Sequence, residues 1–127
     1  MNLFQKCDIV LHSGGKSDFK IECDTLTNED WNTLAYLISK KYSFKETHGV
    51  PIGGLRLERA LKQYRDKNSK TILVVDDVMT TGNSMRKMRD KLILDYDYSA
   101  NDVVGVVVFK RGFTPIPVWI VPIFRMW

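Results

Sequence analysis

Residues 71–85 constrain the fold of this chain more than any other stretch, because an apolar run ends in two acids and then in a small, hydroxyl-rich turn. Five apolar or β-branched residues bounded by charge predict a buried parallel strand. Ligands of open α/β sheets bind beyond the carboxyl ends of such strands. We therefore expect Asp76 and Asp77 to stand at a ligand-binding edge of a sheet.

The residues around this edge predict the chemistry of the ligand. Two adjacent carboxylates repel each other, so a site that ionises both calls for hydroxyl donors or a cation, such as a ribose diol or hydrated Mg²⁺. The following turn supplies backbone N–H groups and hydroxyls at the start of a helix predicted to begin near Ser84, which favours an anion. Its members are Thr80, Thr81, Gly82, Asn83 and Ser84. The spacing matches neither the Walker loop nor the dinucleotide fingerprint, and a sugar phosphate fits both halves.

Residues 74–84 resemble the motif with which type I phosphoribosyltransferases bind phosphoribosyl pyrophosphate (PRPP). The resemblance implies that Asp76 and Asp77 are the catalytic pair, bound to the ribose hydroxyls, and that residues 80–84 hold the 5-phosphate. Asn83 stands where many relatives have a second glycine. The alternative interpretation is an ordinary strand, acidic turn and helix N-cap.

A second candidate anion loop comprises Pro51, Ile52, Gly53 and Gly54, followed by Arg56. Paired glycines let backbone donors approach an anion without a Cβ in the way. The loop resembles the pyrophosphate loop of the same family, although many relatives have Lys or Arg where this chain has Ile52. Backbone amides and Arg56 are then expected to meet the diphosphate, while a solvent-facing Arg56 is the alternative.

Residues 11–19 are similar to a Ser-Gly-x-x-Ser stretch near the start of orotate phosphoribosyltransferases, where it forms a hood over the base. By this resemblance Lys16 and Lys20 recognise an acidic or carbonyl-bearing base, and Phe19 stacks on it. An ordinary hairpin with exposed lysines and one packed aromatic is the alternative.

The end of the chain gives a different indication of the base. Residues 117–124 are similar to the closing Trp-x-x-x-Pro segment of some purine-type relatives, which makes Phe124 a candidate base contact. For Trp119 we favour packing, the more frequent role of a large ring, and for Phe124 and Trp127 base stacking and packing both stay open. The two indications disagree, and the hood favours a pyrimidine slightly.

Composition limits the class of protein. The chain has 127 residues, 44% of them hydrophobic, which suits one domain over residues 1–127. The net charge of +4 comes from dispersed basic residues that lack the pattern of a nucleic-acid interface. We do not expect nucleic acid as a partner, and a substrate with several phosphates is an equally good reason for the charge. Cys7 and Cys23 have no metal-ligand spacing, and we find no signal segment or membrane span, so we expect reduced thiols in a cytoplasmic protein.

The pattern of elements predicts an α/β fold with a parallel sheet. Helices are expected from an N-cap at Thr27 to about Lys41, over residues 55–61 and over residues 84–95. Strands are expected at residues 44–50, 71–75, 103–109 and 118–123. The resemblance implies a single-domain, Rossmann-like type I phosphoribosyltransferase core with a small N-terminal hood. Relatives have strands and a long mobile loop between the two anion loops, whereas here a helix and residues 66–70 fill that interval.

The activity implied by the resemblance is transfer of the phosphoribosyl group from PRPP to a nitrogenous base, which releases pyrophosphate and gives a nucleoside monophosphate. Mg²⁺ would accompany the diphosphate, and no side chain is predicted as a direct metal ligand. Relatives are often homodimers. Because a lid excludes water, its loss leaves two alternatives: a PRPP- or nucleotide-binding regulator, or a structural domain on an inherited fold. His12 and His48 are expected to be structural or solvent-facing.

Overall fold

The computed structural model of the chain describes residues 26–126. The predicted hairpin and hood, with Lys16, Phe19 and Lys20, lie outside these residues. The elements in chain order are α1 (Asn28–Lys41), β1 (Glu46–Gly49), α2 (Leu55–Leu61), β2 (Ile72–Met79), α3 (Asn83–Tyr96), β3 (Val103–Arg111) and β4 (Ile120–Met126). Short 3₁₀ turns at Lys62–Tyr64 and Ala100–Asp102 follow α2 and precede β3.

The four strands form one parallel sheet in the order β1-β2-β3-β4. β1 pairs with β2 only as far as the Gly49–Val75 pair. β3 pairs with β2 over its whole length, from Ile72 to Met79. The second half of β2 therefore has a strand neighbour on one side only among residues 26–126, and this leaves room beside it for a loop.

Helices cover both faces of the sheet. α1 and α2 pack on the face that carries Leu73 and Val75. α3 packs on the face that carries Ile72 and Val74. A strand buried on both sides is apolar at successive positions, which explains the continuous apolar run of β2. Both the β1–β2 and the β2–β3 connections move to the next strand in the same direction across the sheet, but α2 covers one face and α3 covers the other. Two such connections have opposite handedness, so one of them departs from the usual right-handed crossover.

The predicted first helix is confirmed as α1. The Thr27 hydroxyl accepts a hydrogen bond from the Asp30 N–H at 3.1 Å, and the Asp30 carboxylate accepts one from the Thr27 N–H at 2.9 Å. This capping box satisfies two donors that a helix start leaves open. Beyond it, a buried stripe at helical spacing faces the sheet and comprises Trp31, Leu34, Ala35 and Ile38.

The structure also changes several predicted boundaries. β1 is shorter than the predicted strand over residues 44–50, and β4 begins at Ile120 rather than at residue 118. β2 does not end at the acids but continues to Met79, because Asp76 and the residues after it still pair with β3. Between α2 and β2 the chain forms only the 3₁₀ turn and residues 65–71. No helix among residues 26–126 is long and apolar enough to span a membrane.

Candidate active site

Asp76 and Asp77 lie in the second half of β2, past the end of β1. Their exposed fractions are 8% and 5%. Each carboxylate accepts a hydrogen bond from the next residue's N–H: Asp77 N–H reaches Asp76 Oδ1 at 2.8 Å, and Val78 N–H reaches Asp77 Oδ1 at 2.7 Å. These charge-assisted bonds fix the orientation of two buried carboxylates before any ligand arrives.

The loop over residues 50–54 occupies the space beside the acids that β1 leaves open. The Val50 N–H donates to the Val75 carbonyl at 2.8 Å, and the Gly54 N–H donates to the Val50 carbonyl at 2.8 Å. The peptide bond between Pro51 and Ile52 is cis. The structure thus joins the predicted pyrophosphate loop to the strand that carries the two acids.

Two glycines of this loop are required by close contacts. A Cβ at Gly53 would lie 2.4 Å from Oδ1 of Asp77. A Cβ at Gly54 would lie 2.5 Å from the Val75 carbonyl oxygen. Real Cβ atoms essentially never come this close to another heavy atom. Gly53 therefore lets the loop backbone lie against the Asp77 carboxylate, and Gly54 lets it lie against the Val75 carbonyl.

The turn after β2 leads directly into α3. Gly82 is the N-cap residue in the left-handed conformation, with φ of 85°, and no side chain caps the helix there. The Asn83 N–H donates to Thr81 Oγ1 at 3.4 Å, and the Arg86 N–H donates to the Gly82 carbonyl at 2.9 Å. Within residues 26–126 the N–H groups of Ser84 and Met85 make no hydrogen bond. The helix start thus presents open donors where the dipole favours an anion.

The other residues of this turn are accessible. The side chains of Thr80, Thr81, Asn83 and Ser84 are all exposed. The structure therefore brings three predicted groups to one edge of the sheet: the acids, the glycine loop and the hydroxyl-rich helix start. Their individual roles toward a ligand stay predictions.

The remaining predicted residues lie in different surroundings. Pro51 and Ile52 are exposed on the loop. Arg56 lines a groove between α1 and α2. Phe124 of β4 is half-buried and stacks on Phe109, with ring centroids 5.5 Å apart.

Packing is confirmed for Trp119, which lies against the core beneath α3 with the Arg89 guanidinium 5.0 Å from its ring centre. His48 is bonded to Glu46 at 3.1 Å. This contact pairs the imidazole with a carboxylate of the same strand, and a structural role for His48 stays a prediction.

Lys110 is a buried cation at this edge that the sequence analysis missed. It is 1% exposed and pairs in register with Met79, the last residue of β2. Its Nζ donates to the carbonyls of Arg111 at 2.8 Å and Gly112 at 3.1 Å. Burial, and then the nearby charge of Arg125, lower the pKa of Lys110. The position of Lys110 directly after the apolar run over residues 103–109 was the sequence feature that could have indicated it.

Comparison with solved structures finds phosphoribosyltransferases of similar fold. A Helicobacter pylori xanthine-guanine-hypoxanthine phosphoribosyltransferase matches with a TM-score of 0.55 and 17% identity, over 76% of this chain and 88% of that chain. A purine phosphoribosyltransferase from Pyrococcus horikoshii matches with a TM-score of 0.54 and 16% identity, over 80% of this chain and 85% of that chain. No protein-family model matches the sequence, and no curated protein does. The parallel sheet and its flanking helices have the fold of the type I phosphoribosyltransferases.

Proposed function

We propose that this chain transfers the 5-phosphoribosyl group of PRPP to a purine base, releasing pyrophosphate and forming a nucleoside monophosphate. One observation carries the proposal: the acids of β2, the glycine loop over residues 50–54 and the uncapped start of α3 meet at one edge of the sheet. These are the three kinds of group that a ribose, a diphosphate and a terminal phosphate need.

Asp76 and Asp77 would accept hydrogen bonds from the 2- and 3-hydroxyls of the ribose. As the bond from C1 to the diphosphate oxygen breaks and a bond from C1 to a ring nitrogen forms, positive charge develops on the ribose. The proton of that nitrogen passes to the leaving diphosphate or to water. Two fixed carboxylates stabilise that charge, and they need no reorganisation because backbone N–H groups already orient them. No covalent nucleophile is required.

The two loops would fix the ends of PRPP. Residues 80–84 would hold the 5-phosphate with hydroxyls and the open N–H groups of Ser84 and Met85. Gly53 and Gly54 would bring backbone donors to the diphosphate beside Asp77. Held at both ends, C1 of the ribose has a defined position relative to the base, and positioning of this kind is a large part of catalysis.

Mg²⁺ fits this arrangement as an ion that arrives with the diphosphate. Two adjacent carboxylates are present, but residues 26–126 contain no group of three His, Cys, Asp or Glu side chains able to hold a metal. Mg²⁺ is commonly bound by one or two carboxylates together with substrate phosphates and water, so Asp76 and Asp77 are the side chains that would hold it. When bound, it would neutralise charge on the leaving diphosphate.

The choice of a purine rests on two observations. The similar solved structures are named for xanthine, guanine, hypoxanthine or purine, and the earlier preference for a pyrimidine has no support among them. Lys110 adds a buried ammonium at the same edge of the sheet. Two of its protons go to carbonyls, and the third can donate to the exocyclic oxygen of a 6-oxopurine.

The test is pyrophosphate release from PRPP with Mg²⁺ and each of hypoxanthine, guanine, xanthine, adenine, orotate and uracil. We expect release with at least one 6-oxopurine. Asp76→Asn and Asp77→Asn should abolish it with folding retained, while Asp95→Asn, on the exposed side of α3, should leave it unchanged. Release that persists in both acid variants would contradict the proposed mechanism.

A second candidate function is PRPP binding without transfer. It is favoured by the short connection between α2 and β2, where residues 26–126 contain neither an added strand nor a long loop able to close over the site. A closed site excludes water and completes the set of charges around the substrate. PRPP binding with no pyrophosphate release from any base in the panel would favour this regulator.

A further inference from the structure

Glu58 of α2 bonds the chain at the point where it leaves the sheet and enters the glycine loop. Its Oε1 accepts a hydrogen bond from the Gly49 N–H at 2.9 Å. Gly49 is the last residue of β1 and pairs in register with Val75, the residue directly before Asp76. A hydrogen bond to a carboxylate is stronger than one between neutral groups. A side chain of α2 therefore holds the start of the loop beside the strand that carries the acids.

The end of β1 lies in close contact with the start of α2. Gly49 is buried, and a Cβ on it would lie 2.4 Å from the Gly54 carbonyl oxygen and 3.1 Å from Cβ of Glu58. A buried N–H needs an acceptor within the protein or an ordered water. Among residues 26–126 the Glu58 carboxylate is that acceptor for the Gly49 N–H. Loss of the carboxylate would leave a buried donor unpaired, so the strand end and the loop would shift to expose it to water.

The loop that begins at this point has two open donors. The N–H of Glu58 donates to the Gly54 carbonyl at 3.0 Å, so the same residue bonds the chain at both ends of the loop. Within residues 26–126 the N–H groups of Ile52 and Gly53 make no hydrogen bond. Successive open backbone donors suit an anion. Their direction depends on where the two ends of the loop are held.

We propose that Glu58 is a positioning residue for the diphosphate of PRPP. Its carboxylate fixes the Gly49 N–H, and the loop fixed in this way aims the N–H groups of Ile52 and Gly53 at the diphosphate oxygens. The inference rests on the proposed function, because it requires that the glycine loop binds the diphosphate. Glu58 acts through the loop and not on the substrate. An acceptor oxygen is all that this role needs, so glutamine can replace the glutamate and methionine cannot.

The test is calorimetric titration of the full chain with three ligands: PRPP and pyrophosphate, each with Mg²⁺, and inosine monophosphate, which has a 5-phosphate but no diphosphate. Glu58→Met should weaken binding of PRPP and of pyrophosphate about tenfold or more, because a charge-assisted hydrogen bond is lost. The affinity for inosine monophosphate should stay unchanged, which a general loss of folding would not allow. Glu58→Gln should restore most of the affinity for PRPP.

Glu29→Met is the matched control for the loss of charge. Glu29 is exposed in the first turn of α1, as Glu58 lies in the first turn of α2. The control variant therefore removes the same charge from the start of a helix, but from a side chain that does not bond the glycine loop. The affinities for all three ligands should equal those of the wild type.

Amide hydrogen exchange of the ligand-free chain separates this inference from the proposed function. We expect the Gly49 N–H to exchange faster in Glu58→Met than in the wild type, and at close to the wild-type rate in Glu58→Gln. A wild type that binds no PRPP would contradict the proposed function. PRPP affinity or Gly49 exchange that is equal in the wild type and Glu58→Met would overturn the role of Glu58, as would equal losses for PRPP and inosine monophosphate.

Discussion

Gly53 and Asp77 are in direct contact although they lie 24 positions apart in the sequence. A Cβ on Gly53 would lie 2.4 Å from Oδ1 and 2.5 Å from Oδ2 of Asp77. The contact joins the glycine loop to the strand that carries the two acids. It makes the position of the glycine loop and the orientation of the acid depend on each other.

Replacement of Gly53 by alanine should therefore impair ligand binding more than folding. The obstructing atoms are the end of a flexible side chain, so Asp77 can rotate away and lose the hydrogen bond from the Val78 N–H. We expect Gly53→Ala to weaken PRPP binding about tenfold or more, equivalent to 1.4 kcal/mol. Calorimetric titration with PRPP and Mg²⁺ measures the loss, and thermal unfolding should show a small shift only.

Gly112→Ala is the matched control for this experiment. Gly112 has φ of 81° and no heavy atom within 4 Å of a built Cβ. Alanine there should reduce stability by about 1–2 kcal/mol through the left-handed backbone, without moving Asp77. Equal PRPP affinity in Gly53→Ala and the wild type would contradict the proposed role of the contact.

Gly54→Ala should impair folding stability more than ligand binding, the opposite of what we expect for Gly53→Ala. Its Cβ would lie 2.5 Å from the Val75 carbonyl oxygen and 2.7 Å from the Val50 nitrogen, both of them backbone atoms. Backbone cannot rotate away as a side chain can, so we expect a loss of about 1–3 kcal/mol in the free energy of unfolding. Denaturant titration measures it. If Gly53→Ala lost as much stability as Gly54→Ala, the distinction between side-chain and backbone neighbours would fail.

The predictable part of the site is the part that is local in sequence. The apolar run before Asp76 and the glycine before α3 specify a strand and a helix start through neighbouring residues alone, and both are confirmed. Residues 46–49 do not reveal how short β1 is, because its length depends on where the glycine loop turns onto β2. The contact of Gly53 with Asp77 joins two segments that are distant in the sequence, so neither segment alone reveals it.

Lys110 and Arg56 show what local patterns leave out. The burial of Lys110 depends on two carbonyls at the end of β3, and one of them belongs to Gly112 in its left-handed turn. The direction of Arg56 depends on how α2 rotates against α1. The two carbonyls lie within two residues of Lys110, but the turn that directs them at its Nζ and the rotation of α2 are not visible as local sequence patterns.

Tyr98 and Glu46 provide a stability test outside the candidate site. The Tyr98 hydroxyl donates a hydrogen bond to Glu46 Oε2 and is the main cause of the lowered pKa of Glu46. The same bond raises the pKa of Tyr98 to about 12. His48 and Lys45 also lower the pKa of Glu46. Near neutral pH, Tyr98→Phe should reduce the free energy of unfolding by about 1 kcal/mol, measured by denaturant titration.

The pH dependence of that difference follows from the two pKa directions. Glu46 has a lowered folded pKa, so its stabilisation is present above the ordinary value of 4.5 and is lost as pH falls through the folded pKa. Tyr98 has a raised pKa, so its stabilisation is present below the ordinary value of 10.0 and is lost as pH rises toward about 12. The wild type and Tyr98→Phe should converge at both extremes, and a difference that is constant with pH would contradict this account.

Lys110→Met tests the purine assignment, since methionine fills much of the same buried volume without a donor. If the Nζ–H donates to the exocyclic oxygen of a 6-oxopurine, its removal should lower kcat/KM for hypoxanthine and guanine about tenfold or more, and PRPP affinity should be unchanged. Steady-state kinetics with each base measures the effect. Lys87→Met, on the exposed side of α3, is the control. Equal losses with adenine, which lacks that oxygen, would assign Lys110 a structural role, because its hydrogen bonds to Arg111 and Gly112 also hold the end of β3.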